Sequence, residues 1–237
     1  MLGNDNMAFS LGEVHAWFRP FRTHHFKIKC SCGEAPCSYW EKIKNLPENE
    51  FHARAFEELN VNFLIDSSKY LPWVIDNNLW AVQQGINVYN FLLFKDPINH
   101  YYSYWKEKKN MIWLRRWKSW TLYHKRFFQT GIPFISLNFE ELVTNPNKKL
   151  KKLCDIIGMP YFEGKEKFWE KTHHHLFGNI GVRRQVEKKE SEFRPPKDYQ
   201  QDFLHKKEKL QKKFQKDSNT INIINKLNEN EVELFTK

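Results

Sequence analysis

The sequence predicts an α/β fold in which helices flank a parallel sheet. Three short apolar runs, at residues 61–65, 88–94 and 132–137, have the β-branched and aromatic bias of buried strands. Longer amphipathic stretches separate these runs, as expected when a helix connects each strand to the next. This alternation of apolar runs and helical stretches places the chain in the α/β class.

The stretch Asn90–Trp105 contains a strand end, a tight turn and a helix start. Its apolar run ends at Lys95, after which Asp96 is a good helix N-cap and Pro97 a good first helical residue. Strand ends in open α/β sheets bind anions, because the next helix offers unpaired N–H groups and a positive dipole end. An anion site with Lys95 and with Ser103, two turns into the helix, is one interpretation. On this stretch alone, the favoured interpretation is a crossover whose lysine is merely exposed.

A second strand end repeats this arrangement. The run Val61–Ile65 is followed by a polar segment that ends in Lys69, and the next helix extends to about Gln84. Two parallel strands that each present a lysine at the carboxyl edge favour one shared anion site. We therefore expect Lys69 and Lys95 to lie at the same edge of the sheet. The alternative is an ordinary hydroxyl-rich helix cap with a surface lysine.

Further stretches have the pattern of helices. The basic stretch 110–130 carries tryptophans at helical spacing, which favours a core or groove wall over a nucleic-acid platform. The stretch 139–157 has acidic residues in its first turn and lysines later, as the helix dipole prefers. The last two dozen residues are expected to be peripheral. The other helical stretches are 39–45, 49–59 and 203–215.

The composition indicates a folded chain with an anionic partner. Its 237 residues can bury a full core, and an aromatic content of 16% argues against disorder. The formal net charge of +10 suits a nucleic acid, a lipid surface or a highly charged nucleotide. The longest apolar runs are strand-sized, and the first residues lack the features of a secretory signal. We therefore expect no membrane span and a cytoplasmic location.

Three of the four cysteines are clustered, at Cys30, Cys32 and Cys37. Together with His24 and His25 they offer soft ligands for zinc. The spacing lacks a second paired motif, however, so the favoured interpretation is a cysteine-rich turn before a helix, and no metal is expected. In a cytoplasmic setting the cluster also argues against a disulfide framework.

Two further segments carry candidate functional residues. The first places Glu13 and His15 among apolar residues, as a carboxylate and a second proton carrier, although a solvated glutamate is the commoner case. The second, at 173–184, is a glycine-interrupted basic loop that ends in Arg183 and Arg184. Flexible backbone and two guanidinium groups suit phosphate binding.

Taken together, these segments resemble the sulfotransferase family that uses 3′-phosphoadenosine-5′-phosphosulfate, especially its bacterial and tyrosylprotein-type branches. The order and spacing of short motifs carry the resemblance, which covers roughly Leu2–Arg184. FSLGEV resembles the family's Gly-Glu segment, which implies that Glu13 is the catalytic base. IDSSK resembles the segment whose lysine contacts the sulfuryl group or the bridging oxygen, which implies that role for Lys69. The cysteine-rich turn also resembles one in bacterial members.

The resemblance also assigns residues to the 3′-phosphate of this co-substrate. LLFKDPINHYYSYW resembles the segment in which a strand-end arginine and a downstream serine hold the phosphate, which points to Lys95 and Ser103. Here a lysine replaces the arginine, which keeps the charge and loses the bidentate fork. HHLFGNIGVRR resembles a terminal loop with Gly-Asn followed by an arginine, which comes one residue late here. The candidates in this loop are Gly178, Asn179, Arg183 and Arg184.

For the fold, the resemblance implies a P-loop-NTPase-like sheet. It implies a sulfotransferase-like domain over residues 1–186 and a basic helical extension over 187–237. The family opens with a strand and a glycine-rich loop that cradles the 5′-phosphosulfate, and this loop should precede FSLGE. Because the chain begins at Met1, we expect the first strand and the phosphate loop to be missing. On this expectation the chain binds the product nucleotide poorly and is inactive.

The function that follows is transfer of a sulfuryl group from 3′-phosphoadenosine-5′-phosphosulfate to an acceptor hydroxyl or amine. The acceptor stays open among small molecules, lipids, glycans and peptides, and no nucleic-acid partner is expected. One alternative is a non-catalytic protein that binds an anionic nucleotide. Another is a basic nucleic-acid-binding protein that uses the tryptophan-rich helix and the lysine-rich tail. A P-loop kinase relative is disfavoured, because no carboxylate pair for magnesium is evident.

Overall fold

The computed structural model of the protein describes residues 1–107, 112–178 and 199–235. These residues form two compact units, each with one two-stranded parallel sheet and helices packed around it. The predicted α/β class is therefore confirmed. The predicted domain boundary after residue 186 lies outside the described residues and stays a prediction.

The first unit comprises Met1–Val88 and the segment that begins at Gly158. Its strands are β1, Ala8–Gly12, and β2, Phe63–Asp66, which pair in parallel. The pairing is irregular near the end of β1, where the register shifts. The helices of this unit are α1 His15–Phe18, α2 Ser38–Ile43, α3 Phe51–Leu59 and α4 Leu71–Gln83.

β2 matches the predicted run at 61–65, whereas β1 was not predicted as a strand. β1 includes Ser10 and Gly12, and glycine in particular is a poor strand former. Four of its five residues are nevertheless buried, including Phe9 and Leu11. Burial and pairing with β2 therefore override a weak local propensity.

Aromatic packing holds the helices of the first unit. Phe51, Ala55 and Leu59 recur at every fourth position of α3 and are all buried. Phe18 of α1 stacks on Trp73 of α4, with the ring centroids 5.5 Å apart. This packing fixes α1, which follows directly after the end of β1.

The second unit comprises Tyr89–Ile157 and the C-terminal helices. Its strands, β3 Phe91–Phe94 and β4 Ile135–Asn138, pair in parallel and confirm the two remaining predicted strands. The helices of this unit are α5 Pro97–Glu107, α6 Trp113–Gln129, α7 Phe139–Thr144, α8 Pro146–Ile157, α9 Gln201–Phe214 and α10 Ser218–Glu229.

The single helix predicted over 139–157 is instead two helices, α7 and α8. Pro146 lacks a backbone N–H and disfavours helical geometry at the residue before it, so Asn145 leaves the helical region. The start of α7 is capped as helices prefer: the Asn138 side chain accepts hydrogen bonds from two N–H groups of the first turn.

The tryptophans of α6 point into the second unit. Trp120 is buried, and its Nε1–H donates to the main-chain oxygen of Lys95 at 3.1 Å. Trp117 Nε1–H donates to Thr220 Oγ1 of α10 at 2.8 Å. This confirms the expectation that these side chains are core or wall rather than a platform for bases.

The C-terminal helix α10 is part of the core, which corrects the expectation that the last two dozen residues are peripheral. Ile223 and Leu227 are buried, one turn apart. Ser136 of β4 donates a hydrogen bond to the main-chain oxygen of Leu227. The many asparagines of this segment obscured a narrow apolar stripe.

Leu227→Ala should destabilise the protein by about 2–5 kcal/mol, because it leaves a cavity at a fully buried position. Ile221→Ala, on the same helix but 39% exposed, is the matched control and should cost less than about 1 kcal/mol. Urea unfolding followed by tryptophan fluorescence measures both. Equal, small effects would show that α10 is peripheral after all.

Candidate functional site

The end of β1 is held by the main chain of Leu176. Leu176 N–H donates to the oxygen of Leu11 at 3.1 Å, and Glu13 N–H donates to the oxygen of Leu176 at 3.0 Å. Between these bonds Gly12 has φ of +74°, and a Cβ there would lie 2.0 Å from the Leu176 oxygen. Only glycine fits this approach, so the Gly-Glu order of the sequence has a structural reason.

Parallel pairing brings Glu13 and Lys69 together. Gly12 is the partner of Asp66 at the end of both strands, and Ser67 N–H donates to the oxygen of Gly12 at 2.8 Å. Glu13 follows β1 directly, and Lys69 comes three residues after the end of β2. The carboxyl ends of parallel strands meet at one edge, which is where the two side chains emerge.

Glu13 and Lys69 form an ion pair, in which Lys69 Nζ donates to Glu13 Oε1. The Glu13 side chain is 20% exposed and that of Lys69 is 69% exposed. Such a pair contributes about 0–1 kcal/mol to stability, so it matters here for the chemistry it could perform rather than for the fold. The two residues that the resemblance marks as catalytic are in contact.

Asp66 shapes the loop that leads to Lys69, a role that the sequence analysis missed. Its Oδ1 accepts from Ser68 N–H at 2.8 Å, and its Oδ2 accepts from Trp73 Nε1–H at 2.7 Å. Desolvation raises the pKa of Asp66, but the hydrogen bond and charge of His52, with these other hydrogen bonds, outweigh it and lower that pKa. The carboxylate therefore stays ionised and holds the loop.

His15 lies buried near the ion pair. Its main-chain N–H donates to Ser68 Oγ at 3.1 Å, which ties α1 to the loop after β2. Its ring packs against His25 and Tyr70. Burial lowers the pKa of His15, although nearby Glu13 acts in the opposite direction, so the imidazole is neutral at pH 7.

The second unit contains the predicted strand–turn–helix with Lys95 at the strand end. Lys95 Nζ donates to Ser103 Oγ at 3.2 Å, and Ser103 Oγ donates in turn to the main-chain oxygen of Asn99 at 2.9 Å. Asp96 caps α5 by accepting from Ile98 N–H at 2.7 Å. The ammonium and the hydroxyl thus converge beside a helix start, an arrangement that suits an anion.

The surroundings of Lys95 leave its charge only partly compensated. Burial lowers the pKa of Lys95, and the nearby carboxylate of Glu140 raises it. Burial in turn raises the pKa of Glu140. The ammonium also lies 4.1 Å from the centroid of the Phe139 ring. A phosphate beside Lys95 would therefore restore the stabilisation that burial removes.

The late basic loop is only partly described. Gly178 has φ of +106° and lies beside the ring of His175. Asn179, Arg183 and Arg184 lie outside the described residues. Gly178 and Lys69 belong to the first unit and Lys95 to the second, so the shared anion site stays a prediction.

The structure is similar to a solved protein described as the sulfotransferase domain from the curacin biosynthetic pathway. The TM-score is 0.56 and the identity 15%, with 96% of this chain and 90% of that chain covered. No family model and no curated protein matches the sequence. The likeness shows the fold: a P-loop-like α/β fold of the kind found in sulfotransferase domains.

In the part of the chain that the structure describes, no helix combines the length and the apolar character needed to cross a membrane.

Gly12→Ala should lower the free energy of unfolding by clearly more than the usual cost of placing an alanine at a positive φ. A Cβ at this position meets the Leu176 oxygen at 2.0 Å, so the backbone must separate. Gly85→Ala is the matched control, because its φ of +71° is similar and nothing lies within 4 Å of its Cβ position. The control should cost about 1–2 kcal/mol. Thermal unfolding compares the two, and equal losses would contradict the clamp at Gly12.

Stability should fall as the pH drops from about 6.5 to 4, in part because of His100. Burial, aided by the charges of His124, Lys95 and Arg116, lowers the pKa of His100 from 6.5 to about 4. In this interval the unfolded chain binds a proton that the folded chain does not, so the contribution present above pH 6.5 is lost on acidification. His100→Gln should flatten this dependence in urea unfolding, and a similar change in the exposed control His205→Gln would argue against it.

Proposed function

We propose that the protein transfers a sulfuryl group from 3′-phosphoadenosine-5′-phosphosulfate to an acceptor hydroxyl or amine, and the inactive, weakly binding chain expected above is the alternative that the experiments below test. The observation that carries the proposal is the contact between Glu13 and Lys69, just beyond the carboxyl ends of two paired parallel strands, in a chain with a sulfotransferase fold. Sulfuryl transfer needs a base for the acceptor and a cation for the charge that develops on the leaving group.

Glu13 takes the role of the base. As the acceptor oxygen or nitrogen attacks sulfur, a new bond to sulfur forms and its bond to the bridging phosphate oxygen breaks. The acceptor's proton passes to the Glu13 carboxylate, and the electron pair of the broken bond stays on the phosphate. The hydrogen bond from Glu13 N–H to the Leu176 oxygen fixes the main chain from which the carboxylate extends. A fixed base helps to align the acceptor with sulfur and the leaving oxygen.

Lys69 takes the electrostatic role. Its side chain is largely exposed, so the ammonium has room to turn from Glu13 towards an incoming sulfuryl group. On the leaving side it stabilises the oxygen that gains charge, an effect typically worth a few kcal/mol in the transition state. The same movement releases Glu13 for the acceptor's proton.

Lys95 and Ser103 hold the 3′-phosphate in this proposal. Their 3.2 Å contact places an ammonium beside a hydroxyl, and this hydroxyl would turn from the Asn99 oxygen to donate to the phosphate. Burial lowers the pKa of Lys95, and an added negative charge nearby would stabilise its charged form. Gly178, Asn179, and Arg183 or Arg184 supply further contacts to the nucleotide. The acceptor is a small molecule, a glycan or a polypeptide.

Trp117 and Trp120 do not support the nucleic-acid alternative. The Trp120 ring is buried and the Trp117 ring packs against Phe214, with the ring centroids 5.4 Å apart, so these rings are used inside the second unit rather than presented to bases.

Glu13→Gln should lower the turnover by about 100- to 10,000-fold, because the amide cannot accept the acceptor's proton. Transfer of labelled sulfate from the co-substrate to a panel of hydroxyl and amine acceptors measures this. Glu41→Gln is the matched control, since it removes another glutamate of the first unit that pairs with a lysine, Lys44 at 2.7 Å, and should leave turnover unchanged.

Calorimetry with 3′-phosphoadenosine-5′-phosphate distinguishes the proposed base, Glu13, from the proposed phosphate ligand, Lys95. Glu13→Gln should bind this product like the unmodified chain, whereas Lys95→Ala should bind it roughly 10- to 100-fold more weakly, after loss of one charge-assisted hydrogen bond. An equal loss of binding in Glu13→Gln would remove Glu13 from the base role. Tight binding without transfer to any acceptor would favour the non-catalytic alternative.

A further inference from the structure

Three of the four cysteines converge with a histidine in the first unit. The side chains of Cys30, Cys32, Cys37 and His174 place their ligand atoms within 4.8 Å of one another. Cys30 Sγ and Cys32 Sγ are 3.2 Å apart, and Cys37 Sγ lies 3.3 Å from His174 Nδ1. The sequence pattern associates the cysteines with the neighbouring His24 and His25, whereas the histidine that joins the cluster is 137 residues beyond Cys37.

We propose that Cys30, Cys32, Cys37 and His174 bind a structural zinc ion. Three sulfurs and one imidazole nitrogen are a recurrent ligand set for tetrahedral zinc, with bonds of about 2.3 Å to sulfur and 2.0–2.1 Å to nitrogen. These bond lengths put sulfur atoms about 3.8 Å apart and sulfur and nitrogen about 3.6 Å apart. The distances in the cluster lie on both sides of these values, so small side-chain rotations complete the tetrahedron.

The local backbone is built to gather the sulfurs. Gly33 N–H donates to the oxygen of Cys30 at 3.2 Å and closes a turn, in which Gly33 has φ of +84°. This turn returns Cys32 to the side of Cys30. Cys37 is buried and lies immediately before α2. Eight residues therefore supply three of the four ligands.

His174 is held in position from several sides. Its ring lies 4.3 Å from that of Tyr39 and 6.3 Å from that of Phe9, measured between centroids. Its main-chain oxygen accepts a hydrogen bond from Trp40 Nε1–H. An imidazole oriented in this way, with Nδ1 towards sulfur, is preorganised as a ligand.

The geometry favours a metal over the other states of such a cluster. All four cysteines of the chain are free thiols in the structure. One disulfide among Cys30, Cys32 and Cys37 would leave an odd thiol facing His174, so it cannot account for the whole cluster. Because four protein ligands close the coordination sphere, the ion has no open position for substrate, and its role is structural.

The zinc would brace the segment that carries Glu13. Cys30 forms a backbone bridge with Leu176, and Ser31 N–H donates to the oxygen of His175 at 3.0 Å. Leu176 is in turn the residue whose oxygen accepts from Glu13 N–H. One short segment therefore joins the cluster to the end of β1. The zinc proposal stands on this geometry alone and holds whether or not the chain transfers sulfate.

Metal analysis of the full chain, purified without added metal or a histidine tag, tests the proposal. We expect about one zinc ion per chain. Cys32→Ser and His174→Ala should each lose most of it. Cys154→Ala removes the remaining cysteine, which lies buried in α8, and should keep the full content. His24→Ala, an exposed histidine near the cluster in sequence, should also keep it.

A second measurement keeps the proposal testable if the ligand variants do not fold. Cobalt added to the chelator-treated chain should give tetrahedral ligand-field bands and thiolate-to-cobalt charge-transfer absorption, and zinc should abolish both. A folded, zinc-free chain with four titratable thiols and no cobalt spectrum would overturn the proposal. So would a disulfide within the cluster, or an equal loss of zinc in Cys154→Ala.

Discussion

The main chain of Leu176 is the constraint on which the first unit depends. Its N–H and its oxygen bond to Leu11 and Glu13, on either side of a glycine that no other residue can replace. The bonds connect residues more than 160 positions apart in the sequence, so their formation fixes a long closed loop. The position of Glu13, and with it the contact to Lys69, follows from this arrangement.

The two lysines that follow strand ends differ in a way that suits different tasks. Lys69 is 69% exposed and paired with a carboxylate, so its ammonium can move at little cost. Lys95 is partly buried, bonded to Ser103 and placed over the ring of Phe139, so its ammonium is fixed. A mobile cation suits a group in transfer, and a fixed cation suits a phosphate that only has to be held.

The features predicted correctly from the sequence are those that depend on residues close together in the chain. Apolar runs predicted three strands, and the N-cap signal at Asp96 predicted the turn after Lys95. β1 was missed because Gly12 is there for its close approach to Leu176 rather than for strand propensity. The helix break before Pro146 can be read from the sequence, but the prediction of one helix over 139–157 followed the amphipathic pattern and did not consider this proline. His174 was out of reach, because no local signal links it to cysteines far earlier in the chain.

A unit with so little sheet needs other constraints to keep a site in place. A two-stranded sheet is at best marginally stable by itself. Closing the 137-residue loop between Cys37 and His174 costs roughly 4 kcal/mol of chain entropy, and five hydrogen bonds to main-chain atoms of residues 173–176, at about 1 kcal/mol each, do little more than offset it. A four-ligand metal site across this loop would add stabilising free energy beyond this balance. On the zinc proposal, the cysteine-rich turn is therefore what keeps the segment 174–176 against β1, and the orientation of Glu13 depends on it.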